Sequence, residues 1–249
     1  MLVLLAPARN IRPFTDSSIE AGRPVFLREA LQLAEALKEY DPWQLESLLD
    51  LNPERAVEMM KCYRGFDPEA PGTPALLSYY GAAFRNMSPM DFSRDDFCFA
   101  QDRLRILSAF YGILRPNDGI LPHRLGMKKD FRIGGQDLYA FWGRRIYEQV
   151  FPNDHAVINL ASLEYAKLIT PYLSPGDELV RCRFLVQRQD GARGTVATIR
   201  AARGLMARYI VKNRIESPEG LKGFDLDGYR YIAQQSTSMD YVFIRGLRW

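Results

Sequence analysis

The stretch Arg200 to Arg214, reading RAARGLMARYIVKNR, restricts what this chain can fold into more than any other. At 100° per residue it forms an amphipathic helix. Ala202, Leu205, Met206, Tyr209 and Ile210 fall on one half, and Arg200, Arg203, Arg208, Lys212 and Arg214 on the other. The apolar half must be covered by a core. The basic half also carries Ala201, Gly204 and Ala207. A glycine inside a helix costs about 1 kcal/mol relative to alanine, so Gly204 implies that something comes close to the backbone. Small residues between guanidinium groups suit an anionic backbone such as a phosphate chain. The other reading is a solvated helix whose arginines pair with acids elsewhere.

Composition narrows the classes. The chain has 249 residues, 47% hydrophobic and 12% aromatic, enough for one large core or two small ones. A net charge of +3 is only mildly basic, so any nucleic-acid role depends on where the charges sit. Cys62, Cys98 and Cys182 are far apart and form no C-x-x-C pair, which suits a reducing cytosol and argues against a disulfide framework or zinc ribbon. Met1 to Ala6 is too short for a signal peptide, and no stretch nears the roughly 18 uninterrupted apolar residues of a membrane span. The expectation is a cytoplasmic protein without membrane partners.

The periodicities predict a mixed α+β protein of one domain over residues 1–249. Met1 to Ala6 reads as a buried strand, Pro13 to Pro24 as a loop, and Val25 to Tyr40 as a helix. Two short helices follow, at Pro42 to Leu49 and Pro53 to Tyr63, and another at Leu76 to Phe84. A helix capped by Ser93, with Asp95 and Asp96 in its first turn, is expected to run to Tyr111. Gly112 to Gly135 reads as a long ordered loop, and Gln136 to Val150 as a helix. Strands are expected at Ala156 to Leu160, Glu178 to Gln187, Gly194 to Ile199, Gly228 to Ile232 and Tyr241 to Ile244. Ser162 caps a short helix, and Asp190-Gly191 makes a turn.

Several segments read together in order: LAPARN at 5–10, LSAFYGILRPNDGILPHRLGM at 107–127, DLYAFWG at 137–143, INLASLEYAK at 158–167, RAARGLMARYIVKNRI at 200–215 and GFDLDGYRYI at 223–232. In this order and spacing the chain resembles the YaaA family of bacterial peroxide stress proteins. The resemblance implies a cytosolic protein that helps cells survive hydrogen peroxide by limiting iron-dependent damage to DNA. It also implies a YaaA-like α+β fold with a positively charged cleft and a helix-hairpin-helix-like element that binds double-stranded or branched DNA. Trp43 to Tyr63 is the best place for that hairpin, although Asp50-Leu51-Asn52-Pro53 supplies no glycine. The chain departs from the family pattern where Ser-Pro-Ala-Lys becomes Ala-Pro-Ala-Arg at 6–9 and Tyr-Arg-Leu-Glu-Met becomes His123 to Met127, losing a carboxylate at Gly126. It departs again at Leu163, and where paired lysines become Arg200 and Ala201. An arginine stays protonated and cannot act as a nucleophile or base, so these changes favour binding over catalysis.

The expected DNA-binding residues are therefore Arg9, Arg115, Arg124, Lys128, Lys129, Lys167, Arg200, Arg203, Arg208 and Lys212. Their contacts would go to the backbone, with little sequence preference and steep salt dependence. Two alternatives stay open: an enzyme acting on a nucleotide, nucleobase or other small anion in the same cleft, with Glu164 against Lys167 as a general base, or an iron-handling or protein-interaction role. No Ser-His-Asp triad, Walker loop or dinucleotide fingerprint is present, and His123 and His155 have no close cysteine or histidine partner. Neither a catalytic residue nor a cofactor or metal site is expected.

Overall fold

The structure, a computed structural model, describes residues 1–14, 19–127, 130–151, 156–189 and 191–246. Its centre is a mostly parallel sheet. The strands are β1 (Leu2–Leu5), β2 (Leu104–Ser108), β3 (Gly112–Leu114), β4 (Val157–Leu160), β5 (Leu179–Arg188), β6 (Gly191–Arg193), β7 (Tyr229–Tyr231) and β8 (Asp240–Arg245). They lie in the order β7-β8-β5-β4-β1-β2-β3, with β6 folded back on β5. β1 runs parallel to both β2 and β4, with Leu5 opposite Ile106 and Leu160. β3, β6 and β7 are antiparallel to their partners. Val3, Leu4 and Leu5 are buried, as a central parallel strand covered on both faces requires.

The helices are α1 (Leu27–Lys38), α2 (Pro42–Leu49), α3 (Pro53–Arg64), α4 (Ala82–Met87), α5 (Arg94–Arg103), α6 (Leu138–Trp142), α7 (Arg145–Val150), α8 (Leu163–Ala166) and α9 (Val196–Lys212). Local chemistry sets their starts. Asp41, Asn52, Ser93, Ser162 and Thr195 each accept a hydrogen bond from a backbone amide in the first turn. One contiguous apolar core joins helices to sheet. Among the described residues no helix is long and apolar enough to cross a membrane.

Five sequence expectations are corrected. The Ser93 helix stops at Arg103, and Leu104–Ser108 is a strand. Leu104 and Leu107 fit either period, and the decision comes from ladder bonds to β1. The Leu76–Phe84 segment is broken: a single turn at Ala75–Ser78 is followed by Tyr79–Tyr80, paired with Asn10–Ile11, and then by α4. Gln136–Val150 splits into α6 and α7 at Gly143, whose φ of 51° and ψ of −137° no helix accommodates. Gly194–Ile199 is not a strand, because Thr195 opens α9 in a reciprocal capping box with Thr198. The expected loop at Gly112–Gly135 contains β3 and a short pairing of Gly119–Ile120 with Thr73–Pro74.

Candidate functional site

β1 and β4 lie side by side, yet the chain leaves β1 towards β2 on one flank and leaves β4 towards β5 on the other. Such a reversal opens a crevice beyond the carboxyl ends of the strands. A cavity of about 510 Å³ occupies this place. Ala6 to Asn10 enter it from β1, Ser108 from β2, and Leu160, Ser162, Glu164 and Tyr165 from β4 and α8. The loop 123–126 and the segment 79–84 close it, and Arg200 and Arg203 reach it from α9. Four segments remote in sequence, each from a quoted motif, thus share one cavity.

Arg203 is the most telling of these residues. It makes no hydrogen bond or ion pair with any described side chain or carbonyl, and its Nε is shielded from water without a partner. Burial and the neighbouring Arg200 both pull its proton affinity down. A half-buried guanidinium beside a like charge is stabilised when an anion arrives. Arg200, on the previous turn, is exposed. On the hairpin side, Arg9 approaches Asp50 at 3.6 Å with both side chains about 70% exposed, a contact worth about 0–1 kcal/mol that a phosphate would outcompete. Arg124 donates from Nε to the Leu49 carbonyl at 3.3 Å and from Nη2 to the Asp50 carbonyl at 3.4 Å, so it caps the negative end of α2. Burial, followed by the charges of Arg9 and Arg55, lowers its proton affinity. Tyr63 holds the 124 backbone in place, donating to its carbonyl at 2.6 Å.

The floor is uncharged. His123 Nδ1 lies 2.8 Å from the Leu121 carbonyl, which places its proton there and leaves Nε2 to accept from the Tyr79 hydroxyl at 3.3 Å. Burial lowers the His123 pKa to about 4 and raises those of Tyr79 and Tyr165. Ser108 Oγ accepts from the amides of Phe110 and Tyr111 and adjoins Tyr79. Tyr139 donates to the Glu164 carbonyl at 3.0 Å, and its pKa is pushed up to about 12 by burial and the nearby Glu164 and Asp137 carboxylates.

The ten expected residues separate clearly. Arg9, Arg124, Arg200 and Arg203 meet at the cavity. Arg208 instead donates to the carbonyls of Met87 and Ser88 at 3.1 and 3.2 Å and lies 3.4 Å from Asp91. Lys212 is 2.5 Å from Asp96, whose other oxygen is 2.7 Å from Arg214. The lower half of the helix's basic face is thus a docking strip for the acidic segment 87–96. Arg115 follows the antiparallel β3, so it sits at the opposite end of the sheet beside Arg105 and Asp118. Lys167 is exposed at the end of α8, outside the cavity lining. Lys128 and Lys129 lie outside the described residues.

Gly204 answers its own question differently from the sequence reading. A Cβ there would lie 1.9 Å from the Ala83 carbonyl oxygen, so the group that comes close is the backbone of α4. The half-buried Cys62 thiol is no activated nucleophile, since burial and Glu58 raise its pKa. Sequence reasoning missed Tyr79, placed in an expected helix. The glycine after Tyr79-Tyr80 marked the break.

A larger cavity of about 680 Å³ lies between the 19–24 and 66–74 loops. Its ionisable lining is Glu20, Arg23, Asp67 and Glu69, and Arg23 is already paired with Glu69 at 2.5 Å. The balance there is acidic, the wrong sign for a phosphate.

Residues 1–235 match the family described as peroxide stress protein YaaA. The chain is similar to a UPF0246 protein of Limosilactobacillus reuteri, 36% identical over 245 residues and covering 98% of each chain. A UPF0246 protein of Clostridioides difficile is 32% identical over 246 residues, with 98% of this chain and all of the relative covered. One from Lactiplantibacillus plantarum is 36% identical over 246 residues, covering 98% of this chain and 99% of the relative. The order of motifs, the cavity they build and the extent of the match lead to one conclusion: the chain belongs to the YaaA family of peroxide stress proteins.

Proposed function

We propose that this peroxide stress protein binds double-stranded or branched DNA through its phosphate backbone and so limits iron-dependent oxidative damage to it. Arg9, Arg124, Arg200 and Arg203 hold successive phosphates at the mouth of the β1–β4 crevice. The single observation that carries this reading is Arg203, a half-buried guanidinium whose shielded Nε has no partner among the described residues, beside the exposed Arg200. Such an arrangement is stabilised by a bound anion, which supplies the missing acceptor and countercharge.

The α2–α3 pair supports the same reading as a helix-hairpin-helix-like element. Its turn, Asp50-Leu51-Asn52, stands at the cavity rim, with Asp50 in the left-handed region that a glycine would otherwise supply. The cavity is too small for a duplex, so the duplex lies across its mouth. The proposed contacts go to phosphates, so affinity should depend little on sequence.

Fluorescence anisotropy of a labelled duplex against salt tests the reading. Neutralising four phosphates gives a slope of log K on log salt of about −3.6, and Arg200→Gln with Arg203→Gln should reduce it by about 2. Arg203→Met should weaken binding without lowering the melting temperature, because it removes a half-buried guanidinium whose Nε has no partner among the described residues. A flat salt dependence, or a double variant that binds like the wild type, would refute the proposal.

A further inference from the structure

The cavity is deeper than backbone contacts need. Its mouth carries guanidinium groups, whereas its floor, built of Tyr79, Ser108, His123 and Tyr165, is 1–8% exposed and bears no charge at neutral pH. A second phosphate on that floor would be desolvated with no countercharge, which is unfavourable. A flat neutral group with its own donors and acceptors suits it better: it can lie against the rings and exchange hydrogen bonds with the hydroxyls. The volume of about 510 Å³ also falls within the roughly 300–1,000 Å³ of small-molecule sites and exceeds what one phosphate group fills.

We propose that the cavity takes one nucleotide unit, its phosphate on Arg200 and Arg203 and its nucleobase against the Tyr79–His123–Tyr165 floor. The inference rests on the anion-binding role of these arginines given above, and adds what lies beneath them. Two sources supply the same chemistry. One is a free mononucleotide. The other is an unpaired residue of a DNA strand, which enters with little of the unstacking cost that a paired base must meet. An unpaired residue would let the duplex lie across the mouth while one base fills the floor, so the two sites act together.

The test uses the full chain and three labelled duplexes of equal length: fully paired, carrying one unpaired adenosine, and carrying an abasic residue at that place. Deoxyadenosine 5′-monophosphate and deoxyribose 5-phosphate serve as competitors, and Arg203→Gln as the variant. The unpaired adenosine should tighten binding about tenfold over the paired duplex, within the range that a stacked base contributes. The abasic duplex should lose that gain, and the nucleotide should compete far better than the sugar phosphate with wild-type protein but not with the variant. Equal affinity for all three duplexes, with Arg203 still required and no competition by the nucleotide, would overturn the inference and leave DNA binding intact. Equal competition by nucleotide and sugar phosphate would also overturn it, since the floor would then ignore the base. Nucleotide binding that needs Arg203, without binding of any duplex, would uphold the cavity assignment and remove the DNA reading. If neither nucleotide nor duplex binds, both are refuted.

Discussion

Gly204→Ala offers the sharpest check on how α9 is seated. In an open helix this change stabilises by about 1 kcal/mol. Here the new Cβ would lie 1.9 Å from the Ala83 carbonyl oxygen, 2.7 Å from the carbonyl carbon and 2.9 Å from the Cα. All three are backbone atoms, so no side-chain rotation relieves the clash. An ordinary contact near 3.4 Å requires the helices to part by about 1.5 Å. That separation loosens the packing around Phe84, Met87, Met206 and Ala207, all at most 4% exposed. Overpacking of this kind costs about 3 kcal/mol at the upper end of its usual range. After the gain in helix propensity, the net loss is about 2 kcal/mol. For a protein of this size that is about 4–8 °C in Tm. Urea denaturation followed by circular dichroism should show a lower midpoint at unchanged slope. A variant as stable as the wild type, or more stable, would refute the α4–α9 contact and with it the placement of Arg200 and Arg203.

Three further outcomes are expected. His123 has a folded pKa of about 4, below the unfolded value of about 6.5. Its contribution is therefore complete above pH 6.5 and declines by about 3 kcal/mol as pH falls towards 4. Asp118, raised by burial to about 6, contributes with the opposite sign over much of that window, losing stability as pH rises through 6. The informative quantity is accordingly the difference between wild type and His123→Gln in urea denaturation at pH 7 and 4.5, and no pH-dependent difference would contradict the buried neutral imidazole. Asp96→Asn should destabilise by about 2–4 kcal/mol, in the lower part of the range for broken buried pairs because Lys212 and Arg214 stay 33% and 40% exposed. Because its pairing depresses the folded pKa of Asp96, that stability is present above the unfolded value of about 3.9 and is lost as pH falls below it. Wild type and Asp96→Asn should therefore converge in stability at low pH, and parallel curves would disprove the pairing.

Elements whose signal is local were legible. β1 followed from an uninterrupted apolar run, α1 from its periodicity, α2 and α3 from the segments opening at Pro42 and Pro53, α5 and α8 from the caps Ser93 and Ser162, and the body of α9, though not its start at Thr195, from its two-faced pattern. Elements decided by a distant partner were not. Leu104–Ser108 becomes a strand because β1 offers it a ladder, and Tyr79–Tyr80 because Asn10–Ile11 lies alongside. The candidate site divides in the same way. Arginines on motif segments could be named from the sequence, but their state could not. Arg208 and Lys212 sit on the same helix face as Arg203, yet they meet carbonyls and acids of the 87–96 segment, while Arg203 meets none among the described residues.

The chain by itself determined its family, its mixed α+β class, the helices capped by Ser93 and Ser162 and the positive residues available for an anion. These depend on neighbours within a few positions, or on the order of motifs. Tertiary structure alone decided which guanidinium groups are neutralised and which meet no acid among the described residues, and that Gly204 makes room for the backbone of α4. It also decided that an uncharged tyrosine–histidine floor lies beneath them. Charge pairing and close approach are set by distances across the fold, and residues a hundred positions apart acquire such distances only when the sheet brings β1, β4 and α9 to one edge.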